Sequence, residues 1–199
     1  MSVGLTSHFL DLKDMPAEVL RHILDTAKVW KNARRGLPSG MVDEGAPLAG
    51  YTLAMIFEKS STRTRISFEM AMRQLGGSSV VLQGDTMQLG RGETIQDTAK
   101  VISGYVDAVM LRANRHSTIV ELAAEGSIPV VNALTDHSHP CQLMADMLTI
   151  EERLGSVQGR KMAWLGDGNN VATSLIEAAV KFDFSLTLAC PPEFSPNPD

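Results

Sequence analysis

Residues 53–77 read LAMIFEKSSTRTRISFEMAMRQLGG, and the change of period inside them decides the fold class. Leu53–Phe57 is an unbroken apolar run, suited to a strand buried on both faces. A polar stretch, Glu58–Arg65, separates it from Phe68, Ala71, Met72 and Leu75, which fall on one side of a helix. Gly76-Gly77 ends that helix. A two-face-buried strand feeding directly into an amphipathic helix is half of a βαβ unit.

The same alternation continues on both sides. Val80–Leu82, Ala108–Leu111 and Pro129–Asn132 read as further short strands, with a helix around Thr118–Ala124 between the last two. This predicts right-handed crossovers and an α/β fold, a parallel sheet flanked by helices on both faces. Upstream, a helix is expected after Asp14, with Pro16 in its first turn, Gly36 past its end, and Leu20, Ile23, Leu24 and Ala27 as its core stripe. Leu37–Gly50 reads as a loop. Downstream comes a helix over Pro140–Leu154, with Leu143, Met147, Ile150 and Leu154 on one face, then a polar hinge at Ser156–Arg160.

Lys161–Leu165, Asn170–Phe182 and Ser185–Ala189 then read as strand, helix and strand. The last residues, PPEFSPNPD, hold four prolines in nine and show no packing pattern. The expected division is a first domain over residues 1–150 and the first part of a second, Rossmann-like α/β domain over 151–199. Two strands and one helix cannot cover their own sheet, so the chain is expected to be C-terminally truncated.

The bulk numbers set bounds on the class. The 199 residues are 44% hydrophobic and 21% charged, ordinary for a globular protein with a sizeable core. No apolar run approaches the ~20 residues of a membrane span, and the N-terminus lacks the pattern of a secretory signal. A net charge of −5 argues against general nucleic-acid binding. Two cysteines, Cys141 and Cys190, make no disulfide framework and read as reduced thiols of a cytoplasmic protein.

Four segments carry candidate chemistry. In the first, Ser61, Thr62, Arg63 and Thr64 stand between a strand and a helix, where backbone N–H groups and the helix dipole favour an anion. Their hydroxyls add donors, and Arg63 offers a planar fork matched to phosphate. The plainer reading is a helix cap with arginines on a solvated face. No glycine-rich run precedes a Lys-Ser or Lys-Thr pair, so this is not a Walker loop.

The second is His139-Pro140-Cys141-Gln142, at a helix start and at the sheet edge where open α/β folds bind ligands. There His139 can donate to a carbonyl and Gln142 can both donate and accept; a capping histidine without chemistry is the alternative. Asp136, His137 and His139 invite a metal reading, but no further ligand stands near them in sequence, and no metal is expected. The third is Arg112, at a strand's C-terminal end, read as a second phosphate contact or as a surface arginine. The fourth, Gly166-Asp167-Gly168-Asn169-Asn170, is a strand-to-helix turn. Val171 replaces the third glycine of a dinucleotide fingerprint, so a nicotinamide oxidoreductase is disfavoured. Asn170 reads either as that helix's N-cap or as a group facing the cleft.

Taken together, the segments resemble the aspartate/ornithine carbamoyltransferase family over essentially the whole chain. Ser-Thr-Arg-Thr-Arg followed by Ser67-Phe68-Glu69 is similar to its carbamoyl-phosphate signature, and His-Pro-x-Gln to its second. The resemblance implies that Ser61, Thr62, Arg63 and Thr64 hold the phosphate and that Arg112 bridges phosphate and carbonyl oxygens. It places His139 on the carbamoyl carbonyl and Gln142 on the carbamoyl NH2. Arg63, Arg112 and His139 are the implied catalytic groups, with neither a metal nor an organic cofactor.

For the acceptor, Gln88 stands where ornithine-type members carry glutamine and aspartate-type members a lysine that reaches a neighbouring subunit's site. This implies a homotrimer or a multiple of trimers. Asn170 matches the asparagine that binds the α-amino and carboxylate end of L-ornithine. Putrescine-type members share much of the region and are the nearest competitors. The resemblance stops before the Asp-x-x-x-Ser-Met-Gly and His-Cys-Leu-Pro segments of ornithine-type members and their C-terminal helix. Neither Cys141 nor Cys190 takes the place of that cysteine. The chain itself is therefore expected to be inactive or weak, and a truncated paralogue acting as a binding protein is the alternative of a different class.

Overall fold

The computed structural model describes residues 8–83 and 92–197. The elements run α1 (Ala17–Ala33), β1 (Thr52–Phe57), α2 (Thr62–Gln74), β2 (Ser78–Gln83), α3 (Ile95–Ser103), β3 (Ala108–Arg112), α4 (His116–Glu125), β4 (Val130–Leu134), α5 (Pro140–Leu154), β5 (Lys161–Leu165), α6 (Asn170–Phe182) and β6 (Ser185–Ala189). A single 3-10 turn, Pro192–Phe194, lies in the proline-rich end. No helix of the described residues is long and apolar enough to cross a membrane.

The chain forms two compact units. Among the described residues, one takes 8–9 and 34–133, and the other takes 10–33 and 134–197. The first unit is built on a four-stranded sheet of order β2-β1-β3-β4. β1 pairs parallel with β2, Thr52 opposite Ser78, and with β3, Phe57 opposite Arg112. Central β1 is buried from Leu53 to Phe57, as a strand with cover on both faces must be. Leu53, Met55 and Phe57 point to one face, where Met72 of α2 and Met110 of β3 complete a cluster with Phe68 packed against it. Ala54 and Ile56 point to the other and are as deeply buried.

The helix between β2 and β3 escapes the sequence reading. α3 spans nine residues, with Thr94 as N-cap accepting from the Asp97 N–H at 3.0 Å. Its buried residues, Thr98, Ala99 and Ile102, include one polar and one small side chain, so the apolar stripe is weak.

In the second unit α1, α5 and α6 pack against one another beside the parallel pair β5-β6. Leu20 and Leu24 of α1 and Leu143 and Met147 of α5 are buried as the periodicity predicts. Three stripe positions are corrected: Ile23 is 40% exposed, Leu154 is 62% exposed, and Ala71 of α2 lies on the surface. The stripe on α1 is narrower than its apolar residues suggest, and Leu154 ends α5 beyond the last packed turn. Conversely, Val157 inside the polar hinge is 1% exposed and anchors it. β5 and β6 hold no buried residue, consistent with two strands that one helix cannot cover.

Arg21 and Lys28 of α1 meet Glu151 of α5. Arg21 makes a two-pronged pair at 2.7 and 2.8 Å and Lys28 donates at 2.5 Å. These donors hold the Glu151 carboxyl down at about 2, against an opposing push from burial.

Candidate functional site

The first unit gathers the first segment and Arg112 at the C-terminal ends of β1 and β3. β1 ends at Phe57, and α2 starts at Thr62 after a four-residue turn. Ser61 is the N-cap: its backbone is extended (φ −154°), and its hydroxyl oxygen accepts from the Thr64 N–H at 3.3 Å. The same hydroxyl donates to Thr64 Oγ1 at 2.8 Å. Arg112 ends β3 directly opposite Phe57, and its Nη1 donates to Thr64 Oγ1 at a long 3.5 Å. The turn is fixed from behind: the Glu58 N–H donates to the Arg112 carbonyl at 3.0 Å, and the Glu58 carboxylate accepts from the Asn114 N–H at 2.6 Å.

The corner holds two arginines and one acidic residue, Glu58, whose carboxylate accepts from the Asn114 N–H. Neither Arg63 nor Arg112 has a carboxylate partner among the described residues. Arg112 Nε is buried without a hydrogen-bond partner among the described residues. Partial burial, with the Arg63 charge adding to it, holds the Arg112 guanidinium below its usual range. Two cations near a helix N-terminus, one of them donating to the Thr64 hydroxyl, make a corner that favours an anion. A cleft of about 530 Å³ opens beside Glu58, Ser61, Thr62, Arg65 and Gln83, over Phe57. Arg63, Thr64 and Arg112 are not part of its lining.

The second unit holds the other predicted residues. His139 is the N-cap of α5 with Pro140 following, as read from the sequence, but its side chain makes no cap bond; its N–H donates to Ser174 Oγ at 2.9 Å. Gln142, one turn into α5, donates its amide to Asp146 at 2.9 Å and is exposed. The capping alternative for Asn170 is overturned: the N-cap of α6 is Asn169, whose side chain accepts from the Val171 and Ala172 N–H groups at 2.9 and 3.3 Å. Asn170 instead donates its amide to the Thr135 carbonyl at 2.6 Å. Burial pushes the Cys141 thiol up to about 12, which favours its protonated form near neutral pH. Gln88 lies outside the described residues.

Sequence reasoning missed the support beneath His139: Asp11, Thr135, Ser138 and Ser174 are all buried polar residues. Their signal was faint, a lone Asp in a Leu-Asp-Leu run and a serine inside an apolar helix.

The carbamoyl-P binding domain of the aspartate/ornithine carbamoyltransferase family matches residues 7–152, and the family's Asp/Orn binding domain matches 158–199. The chain belongs to this family. Among curated members, it is 56% identical over 193 residues to the ornithine carbamoyltransferase of Rhizorhabdus wittichii, a match covering 97% of the chain and 62% of the relative. It is 55% identical to that of Caulobacter vibrioides, covering 92% of the chain and 59% of the relative. Among solved structures of the family, ornithine carbamoyltransferase from Pyrococcus furiosus superposes with a TM-score of 0.89 at 46% identity, over 96% of this chain and 59% of that one. The Thermus thermophilus enzyme gives 0.89 at 38%, over 98% and 65%. The chain thus spans about 60% of the length of the relatives it matches.

Proposed function

We propose that this chain carries the carbamoyl-phosphate site of an enzyme that transfers the carbamoyl group to the δ-amine of L-ornithine, giving L-citrulline and phosphate. The observation that carries the reading is the Ser61-capped N-terminus of α2, whose first turn bears Arg63 and whose Thr64 hydroxyl meets Arg112, neither arginine having a carboxylate partner among the described residues. Phosphate is the anion that such a corner accepts, through a planar fork, hydroxyls and helix N–H groups at once. Ser61, Thr62, Arg63 and Thr64 hold the phosphate, Arg112 reaches from phosphate to carbonyl oxygen, and Gln88 of a neighbouring copy completes the site. His139 donates to the carbonyl oxygen, Gln142 binds the carbamoyl NH2, and Asn170 takes the amino-acid end of ornithine. Residues 1–150 make the carbamoyl-phosphate domain and 151–199 the beginning of the ornithine domain. The ornithine acceptor is supported by the names of the relatives.

The neutral amine attacks the carbamoyl carbon, negative charge grows on the carbonyl oxygen, and phosphate leaves with the electron pair of the broken C–O bond. Preorganised donors at both oxygens lower that barrier, and losing one costs on the order of 10²–10³ in kcat. The leaving phosphate is a candidate acceptor for the proton released by the amine. A cytoplasmic homotrimer working in arginine biosynthesis fits the same reading.

The test is a citrulline assay with ornithine, putrescine and aspartate in parallel, on the 199-residue chain and on a form extended to its relatives' length. Alongside it, carbamoyl phosphate is titrated calorimetrically into both. Preference for ornithine by the extended form, and binding by both, is expected. A preference for putrescine or aspartate, or no binding of carbamoyl phosphate by either form, refutes the proposal.

A further inference from the structure

The segment from Thr135 to His139 is held by Asp11, Asn170 and Ser174, and of these only Asn170 has a role in the proposed reaction. Within it, the Thr135 N–H donates to the Ser138 carbonyl at 2.9 Å, and the Ser138 N–H donates to Thr135 Oγ1 at 3.2 Å. Thr135 and Ser138 are both fully buried. The Ser138 hydroxyl donates to the carboxylate of Asp11, itself 3% exposed. This leaves the two ends of the segment, and both are tied to one helix. The Asn170 amide donates to the Thr135 carbonyl at 2.6 Å, and the His139 N–H donates to Ser174 Oγ at 2.9 Å.

Asn170 and Ser174 are four residues apart on α6 and so share a face. Ser174 is fully buried in an apolar helix, where an unpartnered hydroxyl would be costly. The His139 N–H belongs to the group of donors that the first turn of α5 cannot satisfy internally. Ser174 solves both problems in a single bond. Its consequence is that α6 sets the backbone position of His139, while the same helix face carries Asn170.

We propose that Ser174 is a positioning residue that fixes His139, and with it the imidazole that donates to the carbamoyl carbonyl. α6 then acts as a ruler, holding the carbonyl-binding histidine at a set distance from the acceptor-binding asparagine. The inference rests on the assignment of His139 to carbamoyl phosphate given above.

Ser174→Ala, with Ser174→Thr as the conservative variant, tests it on the 199-residue chain by NMR of the His139 amide and imidazole. Ser174→Cys, close in volume but a weak acceptor, replaces the alanine variant if that fails to fold. The expected result is roughly tenfold faster hydrogen exchange at the His139 amide in Ser174→Ala, the size of one lost hydrogen bond. Alongside it, the imidazole resonances broaden and carbamoyl phosphate binds several-fold more weakly, all restored in Ser174→Thr. Unchanged His139 exchange and imidazole signals in Ser174→Ala overturn the inference. If carbamoyl phosphate moves His139 equally in wild type and Ser174→Ala, the positioning inference alone fails. If it leaves wild-type His139 unmoved, the functional reading fails and takes this one with it.

Discussion

Glu151→Gln removes the charge at the centre of the α1–α5 clamp while keeping its shape, and its effect can be worked out in advance. The Glu151 side chain is 4% exposed and faces Arg21 at 2.7 Å and Lys28 at 2.5 Å. Its carboxyl titrates near 2 rather than 4.5, chiefly through the Arg21 hydrogen bonds. At about 1.36 kcal/mol per pKa unit, that difference corresponds to a ceiling of roughly 3 kcal/mol at neutral pH. The partners are 35% and 32% exposed, so water screens them and about 1–2 kcal/mol is the realistic figure.

Because the folded-state pKa is depressed, this stabilisation is present above about 4.5 and disappears as pH falls through about 2. Urea denaturation of wild type and Glu151→Gln at pH 7 is expected to differ by that amount, equivalent to a Tm loss of roughly 3–7 °C. At pH 3 the gap should shrink to less than half. A gap that stays constant between pH 7 and pH 3 would falsify the assignment of the stability to the ionised carboxylate. α5 begins at the cap residue His139, so a loosened clamp is expected to weaken carbamoyl-phosphate binding as well.

Three further outcomes are expected. Arg63→Ala abolishes calorimetrically detectable carbamoyl-phosphate binding with little change in Tm, because the residue is exposed and has no ion pair among the described residues; near-normal affinity would sink the phosphate assignment. Ser61→Ala removes the α2 cap and costs about 1 kcal/mol in urea denaturation, together with a loss of phosphate affinity; an unchanged stability curve would show that the cap bond contributes nothing. Gly76→Ala destabilises by more than about 1 kcal/mol, because Gly76 sits at φ +84° and its new Cβ would come within 2.7 Å of Ala46 Cβ; a stabilised variant would contradict this geometry.

The strand-to-helix switches were legible because their causes are local. The run Leu53–Phe57, the cap Ser61 and the helix-ending Gly76-Gly77 each act on neighbours within a few residues. Lys161–Leu165, Asn170–Phe182 and Ser185–Ala189 appear in the structure with the bounds the periodicity predicted. α3 was not legible, since nine residues with a buried threonine carry too little apolar contrast. The identity of the α6 cap was equally hidden: adjacent asparagines are chemically alike, and only geometry gives the cap to Asn169 and frees Asn170 for Thr135.

By itself, then, the sequence determined the α/β class, most element boundaries, and a capped strand-to-helix turn at Ser61, Thr62, Arg63 and Thr64. All of these depend on short-range periodicity, capping and charge. Only the tertiary structure decided that Arg112 stands beside Thr64, that Glu151 gathers Arg21 and Lys28, and that Asp11 and Ser174 hold the His139 segment. Those contacts join residues 35 to 130 positions apart. Their energies come from desolvated hydrogen bonds and ion pairs that exist only once the chain has folded, so no local pattern announces them.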